Sequence, residues 1–222
     1  MVAVPMVLIA LERDLGGASM LLPMLAALLL VAGVRPRHLI TAALLGVLTA
    51  GALWSFGMHA YQRDRIVSFL SPESDPLGAG YQVRQSKIAV GSGQLFGRGY
   101  GQGTQSQLRF LPARHTDFIL AVLAEEWGFA GVAVVLALYT LYVSSVAGIA
   151  MRSRDRTGIL LVVGLVSPLA FHVLYNSAMV IGLLPITGIP LPFLSYGGSF
   201  MLMSFVGTGL VLNVDYRRYV NR

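Results

Sequence analysis

A charged loop that runs directly into an apolar segment contains the residue best suited to acid–base chemistry. Residues 111–126 read Leu-Pro-Ala-Arg-His-Thr-Asp-Phe-Ile-Leu-Ala-Val-Leu-Ala-Glu-Glu, which places Asp117 at the junction, close to Arg114 and His115. A carboxylate beside a partly dehydrated pocket can serve as general base for a hydroxyl group. An aspartate at this position can equally cap the following helix, whose first amides are unpaired and attract negative charge. The pattern alone leaves both interpretations of Asp117 open.

The polar stretch before Asp117 carries side chains that suit an anionic, hydroxyl-rich ligand. Its basic residues and amides include Arg84, Lys87, Arg98, Arg109 and Arg114, with Gln82, Gln85, Gln102, Gln105 and Gln107. Arginine binds phosphate oxygens through two parallel hydrogen bonds, and amides can bind sugar hydroxyls. One interpretation is recognition of an anionic, hydroxyl-rich substrate. A solvated loop that only contacts lipid headgroups is the alternative.

A glycine-rich run, residues 91–103, lies in the middle of this stretch and reads Gly-Ser-Gly-Gln-Leu-Phe-Gly-Arg-Gly-Tyr-Gly-Gln-Gly. It lacks the Gly-Lys-Ser/Thr ending and the strand–helix context of a nucleotide-binding P-loop, so that function is excluded. Glycine permits positive φ angles and the close approach of two backbones. The run is therefore expected to form a tight irregular loop, with a sugar-phosphate cradle as the alternative.

Polar residues inside two of the apolar segments are further candidates. Glu125 and Glu126 follow Asp117 by about two helical turns, and at ~100° per residue Glu125 stays nearer the Asp117 face. Ionisable groups within a membrane span are costly and usually face the bundle interior, so we expect a structural or pocket role for Glu125. His172 and Asn176 share one helix face without a carboxylate at matching spacing, which favours an interhelical hydrogen bond over metal ligation.

The composition is that of a membrane protein. Of the 222 residues, 55% are hydrophobic and 12% are charged, whereas a soluble domain carries roughly 25% charged residues. The chain contains no cysteine, which excludes a disulfide framework, a thiolate metal site and a cysteine nucleophile. The net charge of +6 does not indicate nucleic-acid binding, because the arginines cluster in short turns between apolar runs.

The sequence predicts an all-α polytopic membrane protein with about five transmembrane helices, since a span needs ~20 mostly apolar residues. Residues 1–11 are too short by this measure, so the first helix is partial. The longer apolar segments are residues 18–34, 39–58, 118–150, 158–184 and 200–214. We expect the helix over 158–184 to be broken near Ser167-Pro168. The Pro/Gly-rich connector that follows, residues 185–199, either shapes a pocket or makes a tight outside turn.

Short basic turns predict the orientation in the membrane. They contain Arg35 and Arg37, then Arg152, Arg154 and Arg156, and finally Arg217, Arg218 and Arg222. Because cytoplasmic loops carry an excess of Lys and Arg, these turns and the C-terminus are predicted to be cytoplasmic. The large loop, about residues 59–116, is then extracytoplasmic, and its segment 81–90 is expected to form a short helix along the membrane surface. Residues 1–222 are predicted to form a single membrane domain.

Several longer motifs resemble one known family. They are Asp75-Pro-Leu-Gly-Ala-Gly-Tyr-Gln, Gln85-Ser-Lys-Ile-Ala-Val-Gly-Ser-Gly, Gly103-Thr-Gln-Ser-Gln-Leu, His115-Thr-Asp-Phe with Ala124-Glu-Glu, and Gly188-Ile-Pro-Leu-Pro-Phe-Leu-Ser-Tyr-Gly-Gly-Ser199. In this order they are similar to the SEDS family of shape, elongation, division and sporulation proteins, and most similar to its cell-elongation members in Gram-negative bacteria. One motif differs, because the usual Gln-Pro-Asp-Leu-Gly-Thr is Glu12-Arg-Asp-Leu-Gly-Gly17 here, with Asp14 retained.

The resemblance implies a peptidoglycan glycosyltransferase that polymerises lipid II on the periplasmic face of the cytoplasmic (inner) membrane, in cell-wall elongation and rod-shape maintenance. The family's essential aspartate falls on Asp117, which would deprotonate the acceptor 4-hydroxyl as undecaprenyl pyrophosphate leaves the donor. The residues that would bind substrate are Arg84, Gln85, Ser86, Lys87, Arg98, Thr104, Gln105, Arg114, His115, Glu125, Ser195 and Tyr196. The usual partner is a class B penicillin-binding protein, the transpeptidase that cross-links the new strand.

Two other functions remain open at this point. A lipid II flippase would fit broken helices and intramembrane acids. A non-catalytic scaffold for a penicillin-binding protein would fit a chain that resembles only the C-terminal portion of the family, whose other half contributes to the lipid groove. Whether this chain is active by itself is therefore open as well. No metal site is predicted from the residues, and metal dependence stays open, with a divalent cation, Mg²⁺ or Mn²⁺, as the alternative to a reaction without a cofactor.

Overall fold

The computed structural model describes residues 3–12, 15–56, 78–108 and 110–220, and the regular structure within them is helical. The helices are α1 (Ala3–Leu11), α2 (Leu15–Val31), α3 (Pro36–Phe56), α4 (Ala79–Gly93), α5 (Thr104–Gln107), α6 (Ile119–Arg152), α7 (Arg156–Val180) and α8 (Gly198–Val220). The predicted all-α class is therefore confirmed. Asp14, Arg109, Arg222 and the first part of the predicted outside loop, residues 57–77, lie outside the described residues.

Three helices in the described part of the chain are long and apolar enough to cross a membrane. They are α6, α7 and the Gly198–Arg217 portion of α8. The apolar helix α2 has 17 residues and α3 has 21, and they occupy the two segments predicted as further spans. Helix α2 packs along α7, and α7 packs along both α6 and α8. The chain is thus a multi-pass helical membrane protein.

Helix α7 runs without interruption from Arg156 to Val180 and includes Pro168. The predicted break near Ser167-Pro168 is therefore wrong. A proline removes one backbone hydrogen bond and crowds the preceding turn, but membrane helices tolerate it where neighbouring groups satisfy the freed carbonyl. Helix α2 contains Pro23 in the same way.

Helix α6 is interrupted at Gly128, where φ is 68° and ψ is −166°. The break divides α6 into a short segment, residues 119–127, and a long one, residues 129–152. At ~1.5 Å per residue the long segment extends about 36 Å, which is sufficient for a hydrocarbon core of ~30 Å. Glu125 and Glu126 precede the break. The long segment is thus of span length by itself, and both glutamates lie before it.

Two apolar clusters hold the bundle together at its opposite ends. The first contains Leu111, Phe118, Met179 and Leu191, and it joins α6 and α7 to the loops on either side of them. The second contains Val146, Ala150, Val162 and Val211, and it lies toward the end of α6 and the start of α7. Because the first cluster anchors the loops around Asp117, it is the one that positions the candidate site.

Candidate functional site

The interruption of α6 is filled by the backbone of the glycine-rich loop. Four hydrogen bonds join the two, from Phe129 N to Gln94 O (2.8 Å), Ala130 N to Leu95 O (3.0 Å), Arg98 N to Glu125 O (3.0 Å) and Gly99 N to Glu126 O (3.0 Å). A broken helix leaves amides and carbonyls without intrahelical partners, and buried backbone groups need such partners. The loop supplies them on both sides of Gly128, so the break is a stable feature of the fold.

Two glycines allow this close contact. A Cβ atom added at Gly128 would lie 2.3 Å from Gly97 N, and one at Gly97 would lie 2.1 Å from Glu126 O. Both residues also have positive φ angles, 68° and 77°, which side chains other than glycine rarely adopt. These contacts account for the glycine run as a tight, closely packed loop and favour that interpretation over a sugar-phosphate cradle.

Three predicted site residues, Arg98, Thr104 and Gln105, form a hydrogen-bond network around the carboxylate of Glu125, which is completely buried. Its Oε1 atom accepts hydrogen bonds from Gln105 N at 2.8 Å and from Thr104 Oγ1 at 3.3 Å. Arg98 in turn donates to Thr104 Oγ1 at 3.1 Å. A buried carboxylate is tolerated only when it is paired with hydrogen-bond donors. The network therefore joins α5 to α6 and gives Glu125 a structural position with no surface exposed to a ligand.

Helix α4 is anchored to the C-terminal end of α7 by Ser86 and Lys87. The Ser86 hydroxyl is completely buried and donates to Val180 O at 2.7 Å. The Lys87 side chain lies over Gly182, because a Cβ atom there would be 2.1 Å from its Cε and 2.7 Å from its Nζ. A cation at a helix C-terminus is favourable. The Ser86 hydroxyl is therefore buried and already bonded within the protein.

Two further residues of α4, Arg84 and Gln85, were predicted to bind substrate. Arg84 is exposed, and Gln85 is half-buried. The side-chain oxygen of Gln85 is buried and has no hydrogen-bond partner among the described residues. The helix over Ala79–Gly93 includes the predicted segment 81–90 and buries Val83, Ser86 and Ala89 against α6 and α7.

Asp117 lies in a tight turn that is anchored at both ends. The carbonyl of Ala113 accepts hydrogen bonds from the amides of Thr116, Asp117 and Phe118 at 3.1–3.2 Å. Leu111 and Phe118 flank the turn and are 1% and 0% exposed, whereas Asp117 is half-buried. The N-cap residue of α6 is Phe118, so Asp117 precedes the cap and is not the capping residue. The turn presents its carboxylate at the edge of the bundle.

The connector between α7 and α8 is held by side chains from two helices. Four of its carbonyls accept hydrogen bonds, namely Pro185 O from Tyr175, Ile189 O from Asn176, Pro190 O from His172 and Pro192 O from Tyr139. Prolines lack an amide hydrogen, and irregular backbone at membrane depth must find partners within the protein. His172 and Asn176 therefore form hydrogen bonds, as expected, but with the connector backbone and not with another helix.

The same connector is joined to the Asp117 turn. Asn176 Nδ2 donates to Asp117 O as well as to Ile189 O, each at 2.8 Å. Ser195 Oγ donates to Thr116 O at 2.5 Å and accepts from Leu191 N at 2.7 Å. A Cβ atom added at Gly188 would lie 3.8 Å from Asp117 Oδ2, so the carboxylate faces the connector. The turn and the connector form one unit, the Asp117 site.

An open cavity of about 390 Å³ adjoins this unit. Its polar side is formed by His115, Ser195 and Tyr196, and its apolar side includes Ile119 and Met201. Tyr196 is 82% exposed, and its backbone amide donates to His115 O at 2.8 Å. A cavity with one polar and one apolar wall suits an amphipathic ligand.

A cation also belongs to the Asp117 site. Arg114 Nε donates to Nε2 of His115 at 3.0 Å, so the ring nitrogen of His115 acts as acceptor in this contact. The site therefore combines a carboxylate, an imidazole and a guanidinium within four consecutive positions. Among the residues that the structure describes, no three His, Cys, Asp or Glu side chains are grouped so that they could hold a metal ion.

The structure separates the predicted site residues into three groups. Arg114, His115, Asp117, Ser195 and Tyr196 belong to the Asp117 site. Arg98, Thr104 and Gln105 form the network around the buried carboxylate of Glu125, while Arg84, Gln85, Ser86 and Lys87 belong to α4. The bond from Tyr139 to the connector was not predicted, because its only signal in the sequence is a hydroxyl in an apolar helix. The bond from Asn176 to the backbone of Asp117 was not predicted either.

Fold and site together define a multi-pass helical membrane protein with a carboxylate site where its helices meet an irregular connector. Residues 1–220 match the model of the "Cell cycle protein" family that comprises FtsW, RodA and SpoVE. The chain belongs to this family, and the resemblance drawn from the motifs is confirmed.

Comparison with individual proteins agrees with this assignment. The chain is 44% identical over 218 residues to peptidoglycan glycosyltransferase MrdB of Escherichia coli K12, a match that covers 98% of the chain and 59% of MrdB. Among solved structures, it resembles a component of a peptidoglycan synthase complex with a TM-score of 0.80 and 34% identity, over 96% of the chain and 58% of that protein. It also resembles the rod shape determining protein RodA of Thermus thermophilus with a TM-score of 0.63 and 31% identity, over 97% of the chain and 54% of RodA. The chain thus spans less than two thirds of the length of these relatives.

Proposed function

We propose that this chain carries the catalytic aspartate of a peptidoglycan glycosyltransferase that joins lipid II units into glycan strands during cell elongation. Membership of the family and the name of the E. coli relative support the class of reaction. The observation that carries the proposal is the position of Asp117, half-buried on a turn that Asn176 and Ser195 hold from the connector, beside an open cavity.

Asp117 acts in this proposal as the general base. Its carboxylate takes the proton from the 4-hydroxyl of the acceptor sugar, and the hydroxyl oxygen attacks the anomeric carbon of the donor. The bond from that carbon to the phosphate oxygen breaks, and undecaprenyl pyrophosphate leaves with the electron pair. Such an inverting displacement needs one base and stabilisation of the leaving group. It does not need the second carboxylate that a glycosidase uses to protonate its leaving group.

The cations around the site would stabilise the negative charge of the pyrophosphate. Arg114 is nearest to Asp117 in the chain, and Arg84 is exposed on α4, whereas the Lys87 side chain lies over Gly182 at the end of α7. Guanidinium groups bind phosphate oxygens bidentately and remain charged at neutral pH. A divalent cation is usually held by one or two carboxylates together with substrate phosphates, so Asp117 and the pyrophosphate would be its ligands if one takes part.

The geometry of the cavity suits a lipid-linked sugar. His115 and Tyr196 offer exposed polar groups, while Ile119 and Met201 offer an apolar wall. We place this face in the periplasm and the basic turns in the cytoplasm, in line with the distribution of arginines in the short turns. Under this orientation the sugars of lipid II would reach Asp117 from outside while the polyprenyl chain stays in the bilayer.

The partner proposed for this chain is a class B penicillin-binding protein. The related solved structure is described as a peptidoglycan synthase complex that coordinates polymerization and crosslinking. A polymerase whose product must be cross-linked would benefit from a transpeptidase held next to it. The test of activity is therefore carried out both with and without the transpeptidase.

The deciding experiment supplies purified protein with fluorescent lipid II and measures glycan product on gels. Asp117→Ala and Asp117→Asn should lower the rate about 100-fold or more, as expected for loss of a general base. Glu126→Gln is the matched control, since it removes a nearby carboxylate, and it should retain the wild-type rate. Product formation that persists in both Asp117 variants would refute the assignment.

The same protein preparations also test the two alternative functions, a scaffold and a flippase. Wild-type protein that binds the transpeptidase but forms no glycan under any condition would indicate a scaffold. Movement of labelled lipid II across vesicle bilayers without polymerisation would indicate a flippase. Under the present proposal, glycan appears and transbilayer movement stays at the level of protein-free vesicles.

A further inference from the structure

A second cavity lies at the end of the bundle opposite Asp117. Its volume is about 390 Å³, and it is formed by the turn between α6 and α7, the first turns of α7 and the C-terminal part of α8. The long segment of α6, about 36 Å at ~1.5 Å per residue, separates it from the Asp117 site. The cavity therefore belongs to the other membrane face and has no part in the proposed reaction.

The mouth of this cavity is cationic. Arg154 and Arg217 line it from two different elements, and both are exposed. Asp155 also lines it, and one of its carboxylate oxygens accepts a hydrogen bond from Thr157 N at 3.2 Å, so the lining carries two positive charges and one negative charge. Asn213 adds an amide beside Arg217. Two guanidinium groups and an amide are thus arranged around a space that is large enough for a phosphate.

One wall of the cavity is apolar, and its Leu161 and Leu210 side chains are 37% and 44% exposed. Leu161, Leu210 and Val214 line it, and Val214 packs against the second apolar cluster. A Cβ atom added at Gly158 would lie 2.8 Å from Ser153 Oγ and 3.1 Å from Val214 Cγ1. The turn, α7 and α8 are therefore in direct contact at this point, so the cavity is part of the packed fold.

We propose that this cavity binds an anionic phospholipid, with the headgroup phosphate between Arg154 and Arg217 and the start of an acyl chain against Leu161 and Leu210. Paired guanidinium groups suit phosphate oxygens, and basic pockets between membrane helices bind anionic headgroups. A free anion would use the arginines but leave the apolar wall unoccupied. A phospholipid uses both walls, and its depth in the membrane matches a cavity that opens at the end of membrane helices.

Lipid retention measured by native mass spectrometry tests the proposal. The full chain is purified in detergent, incubated with equal amounts of phosphatidylglycerol and phosphatidylcholine, and analysed for bound lipid. Wild type should retain phosphatidylglycerol in preference to phosphatidylcholine. The double variant R154A/R217A should retain roughly tenfold less phosphatidylglycerol, since each arginine near an anionic headgroup contributes to binding.

The matched control is R152A/R156A. Arg152 and Arg156 are exposed on the same turn but do not line the cavity, so this variant loses the same charge and should retain phosphatidylglycerol within about twofold of wild type. Equal loss in the two double variants would overturn the proposal in favour of a diffuse basic surface. Displacement of the bound lipid by millimolar inorganic phosphate would overturn it in favour of a free-anion site. Size-exclusion profiles establish that each variant is folded.

Discussion

Asn176 donates hydrogen bonds from one amide nitrogen to the carbonyls of Asp117 and Ile189, each at 2.8 Å. A single buried side chain on α7 thereby sets the distance between the Asp117 turn and the connector that faces its carboxylate. Asn176 is completely buried, so this arrangement does not depend on solvent. The position of the proposed base is decided by a residue 59 positions away in the chain.

Replacement of Asn176 by aspartate should impair the site with little change in side-chain volume. Aspartate cannot donate to either carbonyl, and a buried acceptor left without a donor costs about 1–3 kcal/mol of stability. Thermal unfolding in detergent should show a lower Tm. If the proposed activity holds, kcat for glycan synthesis should fall more than KM rises, since the base would be displaced.

Ser177→Ala is the control for Asn176. Its hydroxyl donates to Val173 O within the same helix at 2.7 Å, so its loss should leave both Tm and rate close to wild type. An Asn176→Asp protein with the Tm and kcat of wild type would contradict the role assigned to Asn176.

Ser195→Ala should loosen the connector from the turn. The hydroxyl joins Thr116 O and Leu191 N at 2.5 Å and 2.7 Å and is 1% exposed. Its removal leaves two buried backbone groups unpaired, which should lower stability by about 1–3 kcal/mol. Ser199→Ala, at an exposed position of the same motif, should have no measurable effect on Tm. Equal Tm values for the two variants would contradict the assignment.

Gly128→Ala should be strongly destabilising. The residue combines φ of 68° with ψ of −166°, a region that is essentially restricted to glycine and costs about 1–3 kcal/mol for other residues. Its Cβ would also lie 2.3 Å from Gly97 N, so the glycine-rich loop would have to separate from α6. We expect a large fall in Tm and faster proteolysis of the loop.

Gly148→Ala provides the comparison within the same helix. A Cβ atom there has nothing within 4 Å, and alanine is favoured over glycine in a helix by up to about 1 kcal/mol. This variant should be neutral or slightly more stable. Similar Tm values for Gly128→Ala and Gly148→Ala would show that the helix is not interrupted at Gly128.

Glu125→Ala should release α5 from α6. Gln105 N and Thr104 Oγ1 would lose their shared acceptor, and the cost for buried unpaired groups is about 1–3 kcal/mol. Glu126→Ala is the neighbour control, because the backbone carbonyl of Glu126, which accepts from Gly99 N, is retained. Hydrogen exchange should rise across residues 98–107 in the first variant only. Unchanged exchange in Glu125→Ala would contradict the structural role.

The fluorescence of Trp127 should show that this residue lies at the membrane boundary. It is 56% exposed beside the start of the long segment of α6, near Phe129 and Phe96, which are 67% and 83% exposed. Exposed aromatic residues at the end of a membrane helix belong at the lipid–water interface. The sequence contains one other tryptophan, Trp54. When Trp54 is replaced by phenylalanine so that only Trp127 fluoresces, brominated lipids should quench the fluorescence more than iodide does. Stronger quenching by iodide would place this surface in water.

Local pattern was sufficient for several features of this protein. Long apolar runs require membrane helices, because twenty or so apolar residues can satisfy their backbone in lipid only as a helix. Asp117 became a candidate because it lies between a cationic loop and an apolar run, and the family motifs around it added its expected role. The hydrogen-bonding character of His172 and Asn176 was foreseen from their spacing, although their partners were not.

Other features of the structure depend on contacts between residues that are far apart in the chain. The break at Gly128 depends on backbone groups of Gln94, Leu95 and Arg98 that reach it only in the folded chain. Pro168 was expected to end a helix and does not, because the surroundings of a proline and not the residue itself decide whether a membrane helix continues. The family resemblance placed Ser86 and Glu125 among the substrate-binding residues. In the structure both are completely buried and hydrogen-bonded within the protein. Hydrogen bonds between distant segments have no signature in local composition, so only the tertiary structure could assign these residues to the frame that holds Asp117.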